Sequence, residues 1–344
     1  MGMADRLKAL TGLGNAATRA DGRKSWGGGA GTLVFGGASG EGASWSERSY
    51  AGLAKAGFMA NPIVYRCVRL VSETAAGVPL LLYDGRREVE SHLILDLLRR
   101  PNGAQDGMAL IEALCGHLLL SGAAHLEAGV VDGRPRALHA LRPDQLRTIH
   151  GADGWPMAVE HRTGSRTRRL PLEGDDGRPG PVLAIRLFHP LSETDGLAPV
   201  LAAQTALDLH NAASRWNKAL LDNSARPSGA LVYQSGDGGN LSGDQFDRLK
   251  EELEAGYAGA ARAGRPMLLE GGLDWKAMAL SPRDMDFLEA RNGAARDIAV
   301  AFGVPPMLLG IPGDATYSNY QEANRALFRL TVLPLLGRLC AAVG

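Results

Sequence analysis

Several things are scarce in this chain of 344 residues, and each scarcity excludes a class of protein. Cysteine occurs three times, at Cys67, Cys115 and Cys340, far apart and each in an apolar helical context. An odd number without paired spacing gives neither a disulfide framework nor a cysteine metal site, so buried small hydrophobes are expected. No segment reaches about 18 uninterrupted apolar residues, and the N-terminus has no signal-peptide run, so a cytoplasmic, reducing environment with no membrane contact is expected. Net charge is absent: 37 Lys and Arg balance 37 Asp and Glu. Neutrality argues against a protein that grips or wraps nucleic acid, yet suits one that lets a polyanion slide past. Lysine is scarce as well, supplying six of the 37 basic residues.

Signatures of catalysis are missing. Gly29-Ala30-Gly31 has no preceding strand, no third glycine in register and no Gly-Lys-Ser/Thr after it, so it is no nucleotide loop. None of the eight histidines has metal-ligand spacing; His117 sits in an apolar helix, and His125 and His139 lie in hairpin strands. No Gly-x-Ser-x-Gly elbow occurs. Asp284, Asp286 and Glu289 can be drawn as a divalent-metal group, which would make a nuclease. Acids at a helix start are expected anyway, because they oppose the macrodipole. Arg162, Arg166, Arg168 and Arg169 form a basic hairpin, more simply a solvated strand face or a subunit contact than a phosphate site. No enzyme, cofactor or metal is expected.

What is present is a clear succession of elements. Residues 1–58 start with a short amphipathic piece and continue Gly- and Ser-rich, which reads as a flexible arm. Asn61-Pro62 opens a helix with Val64, Cys67, Val68, Val71 and Ala75 on one face. A strand is expected at Val78–Tyr83, then helices over His92–Leu98 and Met108–Leu120, the latter ended by Gly122. A hairpin turns at Asp132-Gly133, and strands follow at 156–162, 166–170 and 182–188. This half is mixed α+β without regular βαβ alternation.

The second half differs. Leu197–Asn223 reads as one helix, roughly 40 Å long at about 1.5 Å per residue, with Leu201, Leu209, Ala212, Trp216 and Leu220 as its apolar stripe. Pro227 stops it. A small α/β insert follows, whose helix opens with capping-box spacing at Ser242 and Gln245. Ser281 to Gly303 reads as a complete helix: Ser281 caps, Pro282 fits the first turn, and Met285, Leu288, Ala295, Ala299 and Phe302 share one side. Gly303 permits the exit and Pro305-Pro306 forbids continuation. Met307, Leu308 and Leu309 read as a core plug. A last helix begins near Ser318 and runs toward Pro334. Two long helices bracketing an insert would most simply return side by side.

The wording FLEARN then FGVPPMLLG, together with NPIVYRCVRLVSETAAGVPLLLY, LLRRPN, Asp195-Gly196-Leu197, ARPSGAL, RPMLLEGGLDWK and Tyr317-Ser318-Asn319, resembles the portal proteins of tailed phages, HK97-type branch. The resemblance covers most of the chain after residue 58. It departs where the family commonly reads Gly-Asn-Ala-Tyr and this chain has Gly122-Ala123-Ala124-His125, and after Leu197, where the family wording is shortened to Ala198-Pro199.

The resemblance implies an α+β portal-type subunit with an α/β wing (59–196), a first stem helix (197–226), a small α/β clip (227–280), a second stem helix (281–303), a tunnel loop (304–317) and a C-terminal helix (318–344) leading toward a short or absent crown. It implies a dodecameric ring at one capsid vertex of a phage, prophage or gene transfer agent particle, assembled in the bacterial cytoplasm. Double-stranded DNA would pass without sequence recognition. Partners would be further copies of the chain, the terminase large subunit, the major capsid protein and head-completion or adaptor proteins. Ile311, Pro312, Gly313, Asp314, Ala315 and Thr316 would line the channel. Rivals are the metal-dependent nuclease and a monomeric adaptor with the same core.

Overall fold

The computed structural model describes residues 32–35, 46–174, 177, 179–222, 229–233, 242–245, 247–249, 251, 273–277, 287–312 and 317–343. The chain divides into two units, Met1–Ala38 with Asp222–Ala279, and Ser39–Leu221 with Leu280–Gly344. Helices and antiparallel sheets mix throughout, as the α+β expectation requires.

In the larger unit, α1 (Tyr50–Leu53) is capped by Ser49 and continues through a π turn at Ala54–Met59. α2 (Pro62–Ala76) starts where the sequence says: Asn61 Oδ1 accepts from the amides of Ile63 and Val64, and Pro62 takes the first turn. Val64, Cys67, Val68, Val71 and Ala75 are all buried, as their spacing predicts. The strand expected at Val78–Tyr83 shrinks to Tyr83–Asp84, paired with Arg87–Glu88. Pro79 has no N–H to donate, and Leu80 and Leu82 are only half-buried, so no continuous ladder forms before Tyr83.

α3 (Leu93–Arg99) and α4 (Gly107–Ser121) follow, α4 capped by Asp106, whose Oδ1 accepts from Ala109 at 2.8 Å. Gly122 ends α4 at φ +77°, and a Cβ there would lie 2.3 Å from the Gly196 carbonyl oxygen. Only glycine fits both the left-handed backbone and that close approach.

β2 (Ala123–Val131) and β3 (Arg134–Leu141) form the predicted hairpin about Asp132-Gly133. A second sheet holds β4 (Leu146–His150), which sequence reasoning missed, with β5 (Pro156–Thr163) and β6 (Arg166–Pro171). β7 (Val182–Arg186) returns to pair with β2, giving the order β3-β2-β7. The core of this unit joins α2 and α4 to the β3-β2-β7 sheet, with Leu110, Leu118, Leu126 and Ile185 among its members.

The single long helix expected over Leu197–Asn223 is two, α5 (Pro199–Ala202) and α6 (Gln204–Asp222), separated at Ala203. Its apolar stripe is also misplaced. Ala203, Leu207, His210 and Ala213 face inward, while Leu209 is 50% exposed and Ala212 is exposed.

Within the smaller unit, β8 (Gly229–Tyr233) lies between β9 (Leu273–Ala277) and β1 (Thr32–Phe35), all antiparallel. The arm expectation for 1–58 therefore fails at two places, β1 and the ordered stretch from Ser46. Three apolar residues after a threonine, set among glycines, carry too little signal to read as a strand. The capping box is present: the Ser242 amide donates to Gln245 Oε1 at 3.0 Å, and the Gln245 amide to Ser242 Oγ at 3.3 Å.

α7 (Phe287–Ala301) buries Ala294, Ala295, Ile298 and Ala299, with Phe302 beyond it; Leu288, expected on that face, is 67% exposed. The Ser281 cap and Met285 lie outside the described residues. Gly303 has φ +65°, and Pro306–Leu309 forms one 3-10 turn whose Leu308 and Leu309 pack on the core. α8 runs through Tyr317–Leu327, a π turn at Phe328–Val332, and Leu333–Val343. The helix passes Pro334 rather than stopping there. The preceding π turn makes room, since proline clashes with the carbonyl four residues back in a regular α-helix. α8 is long and apolar enough to cross a membrane by length and composition, but Leu327, Val332, Leu335, Leu336 and Leu339 bind one side of it into the core.

Candidate functional site

Two arrangements position the parts of this chain that the sequence singles out. The first anchors the start of α6. Asn61, 1% exposed, caps α2 through its carbonyl oxygen and turns its amide toward α6, donating to His210 Nδ1 at 3.0 Å and Asn211 Oδ1 at 2.8 Å. Asn211 Nδ2 in turn donates to the Ala56 carbonyl at 2.9 Å, inside the π turn. One turn earlier, Gln204 Nε2 donates to the Ser46 carbonyl at 2.6 Å, and Asp208 accepts from the Ser46 amide and hydroxyl. Since an amide can only donate to His210 Nδ1, the imidazole is neutral with its proton on Nε2. Burial, then the nearby Arg291 charge, lowers its pKa. Beside this knot runs a cleft of about 560 Å³ lined by residues including Ser46, Ala56, Asp208, Asn211, Arg215 and Lys218.

A second arrangement holds the base of the loop that follows α7. Thr331 Oγ1 donates to the Gly303 carbonyl at 2.6 Å, and Arg296 donates to the Pro312 carbonyl. Ile311, 8% exposed, turns into the core, whereas Pro312 is exposed. Gly313, Asp314, Ala315 and Thr316 lie outside the described residues.

Among the described residues, the remaining candidates do not assemble into a catalytic or metal-binding group. His117 accepts from or donates to the Tyr50 hydroxyl at 3.3 Å, and burial lowers its pKa to about 4. His125 is lowered to about 4 by burial, then by Arg186 and His117. Both are therefore neutral at pH 7. His139 sits exposed on β3. On the basic hairpin, Arg168 is engaged by both Glu127 oxygens at 2.9 and 3.1 Å and donates to His161 Nδ1 at 3.1 Å. Arg162, Arg166 and Arg169 are exposed around it, as a solvated strand face requires. Asp284 and Asp286 lie outside the described residues, and Glu289 is exposed. Among the described residues no group of three His, Cys, Asp or Glu is placed to hold a metal. Cys67 and Cys115 are buried, and burial pushes their thiols up to about 12. Cys340, expected to be buried, is exposed on α8.

Sequence reasoning missed Asn61 as a two-way anchor, and Gln204, Asp208 and Asn211 as its partners. Polar residues at helical spacing read as a solvated face; only an asparagine directly before the helix proline marked the cap.

Comparison with known proteins agrees with the sequence resemblance. A profile of the phage portal protein family matches residues 62–344. An uncharacterised protein of Rickettsia bellii is 39% identical over 281 residues, 81% of this chain and 72% of its own. The probable portal protein of Streptomyces phage phiC31 is 28% identical over 289 residues, 80% of this chain and 61% of its own. Among solved structures, a chain in the neck of a native gene transfer agent particle, computed with C12 symmetry, is 52% identical. That alignment has a TM-score of 0.64 and covers 87% of this chain and 80% of that one. A family match over this span, on a fold shared with a particle neck, leaves one conclusion: the chain belongs to the phage portal protein family, whose role is structural rather than enzymatic.

Proposed function

We propose that this chain is the portal subunit of a gene-transfer-agent-type or phage particle, assembled in the bacterial cytoplasm as a dodecameric ring at one capsid vertex. Double-stranded DNA passes through the ring, the terminase large subunit docks on it during packaging, and head-completion proteins follow. The observation that carries this reading is the 52% identity, over 87% of the chain, to a protein in a 12-fold symmetric particle neck.

In this proposal 59–196 is the wing that meets the major capsid protein, 197–226 and 281–303 are the stem helices, and 227–280 is the clip presented to the terminase. Residues 304–317 form the tunnel loop and 318–344 the C-terminal helix. The knot of Asn61, His210 and Asn211 supports the stem assignment, because it fixes one end of α6 to the wing. In the tunnel loop, the buried Ile311 is the root and Pro312 to Thr316 the part that reaches DNA. Backbone and small side chains there touch phosphates without reading bases. Packaging energy comes from the partner motor.

Light scattering and negative-stain imaging of the purified chain test this. The expected species has about twelve times the 36.3 kDa chain mass and shows a central hole. A monomer at all concentrations refutes the ring. Magnesium-dependent cleavage of plasmid DNA that is lost in Glu289→Gln would restore the nuclease rival.

A further inference from the structure

Helix α8 buries one side and leaves the opposite side bare. Leu330, 76% exposed, leads an outward stripe continued by Leu333, Pro334, Gly337 and Ala341 at helical spacing. Among the described residues a Cβ on Gly337 would meet nothing within 4 Å, so the stripe has a notch there. Arg329 and Arg338 border it on either flank. A contiguous apolar helical face of this kind marks an interaction surface.

A second bare helical face lies in the same unit, on α7. Gly293, Asp297 and Val300 share the side opposite the buried alanines, with Glu289 one turn before them. Val300 is 71% exposed, and Gly293, like Gly337, has open space around it. Among the described residues, no ion pair within the chain engages Arg329, Arg338, Glu289 or Asp297.

One face is apolar with arginines at its edges; the other sets Glu289 and Asp297 on the small surface of Gly293 and Val300, with Arg296, held by the Pro312 carbonyl, at its border. Packing either face on itself would set like charges against each other. Packing one on the other pairs them, and both glycines allow close helix approach. A cyclic ring needs two different, complementary patches on each subunit, and these two faces answer that description. We infer that the outward face of α8 of one copy packs against the outward face of α7 of the next copy, with Arg329 and Arg338 meeting Glu289 and Asp297. The inference rests on the ring proposal and specifies its joint.

Charge reversal and rescue in the full-length chain test it. Asp297→Arg and Arg338→Glu each drop the assembled species to monomer mass by light scattering, and the double variant restores the ring. Leu330→Glu also disperses it. All of these positions are exposed, so far-UV circular dichroism stays unchanged in each variant. Cys340 reports independently: its reaction with a thiol reagent is at least about tenfold slower in the ring than in Leu330→Glu.

If every variant still forms rings and Cys340 reacts at the dispersed rate in all of them, the joint lies elsewhere while the ring stands. If the wild type never exceeds monomer mass, the ring proposal fails and the inference loses its partner. If the wild type instead floats with phosphatidylcholine vesicles and Cys340 becomes protected there, the α8 face belongs to a bilayer and the inference is overturned.

Discussion

Replacing Asn61 by alanine removes two functions at once, and their sizes can be worked out separately. Loss of the cap on α2 costs about 1 kcal/mol. Loss of the side-chain amide strands His210 Nδ1 and Asn211 Oδ1, and leaving buried acceptors unpaired costs about 1–3 kcal/mol. The expected total is about 3 kcal/mol. Urea unfolding followed by circular dichroism, at matched protein concentration, measures it. Two references bracket the result. Asp106→Ala removes only an exposed cap and should cost about 1 kcal/mol. Ser72→Ala removes an equally buried hydroxyl that has no hydrogen-bond partner among the described residues, and should leave stability unchanged or raise it by up to about 1 kcal/mol. Asn61→Asp separates the two functions, since a carboxylate still caps α2 but cannot donate. His210 then takes its proton on Nδ1 to reach the carboxylate, and its pKa rises instead of being lowered. A raised histidine stabilises fully below its unfolded value and loses that contribution as pH climbs, so the deficit of Asn61→Asp shrinks on acidification. The reasoning is refuted if Asn61→Ala is no worse than Asp106→Ala, or if the Asn61→Asp deficit is flat between pH 5 and pH 8 (about the range in which histidine titrates).

Three further outcomes follow from other parts of the fold. His117 and His125 are lowered from 6.5 to about 4, so the folded chain binds fewer protons than the unfolded chain between those values. Their contribution is complete above pH 6.5 and drains away toward pH 4; the urea midpoint should fall across that window, and less so in His117→Gln. Gly303→Ala combines a left-handed backbone with a Cβ 2.6 Å from Thr331 Oγ1, so a loss of about 2 kcal/mol or more is expected in the same unfolding assay. Denaturant-dependent thiol labelling should expose Cys67 and Cys115 only with global unfolding, because both lie in the core.

The parts of the fold that announce themselves in sequence are those where local chemistry and burial agree. α2 has its asparagine, its proline and an apolar stripe that the core takes up unchanged. α4 has Gly122 at its end, and β2 and β3 have Asp132-Gly133 between them. Legibility fails where the two disagree. The inner face of α6 is half polar, because Gln204 and His210 are buried with hydrogen-bond partners, so apolar periodicity points instead to Leu209 and Ala212, on the outer side. Leu288 by helical spacing and Cys340 by its apolar context both read as interior, yet neither signal distinguishes burial in one chain from burial between chains. β4 alternates weakly in Leu-Arg-Thr-Ile-His, and β1 is four residues among glycines. As for the loop 311–316, its small, nearly uncharged composition marks it in sequence, but the clamps from Arg296 and Thr331 are tertiary and leave no trace in its wording.

The widened turn at Phe328–Val332 makes the length of α8 a sensitive quantity. Were those five residues to take ordinary α geometry with none removed, everything beyond them would rotate by about 90°. Leu335, Leu336 and Leu339 would then swing away from the sites they occupy, and Arg338 would sweep toward the core. That short stretch sets the azimuth of the final eleven residues, and loss of one residue within it, which restores α geometry almost in register, should be far less damaging than loss of one residue from the α-helical turns that follow.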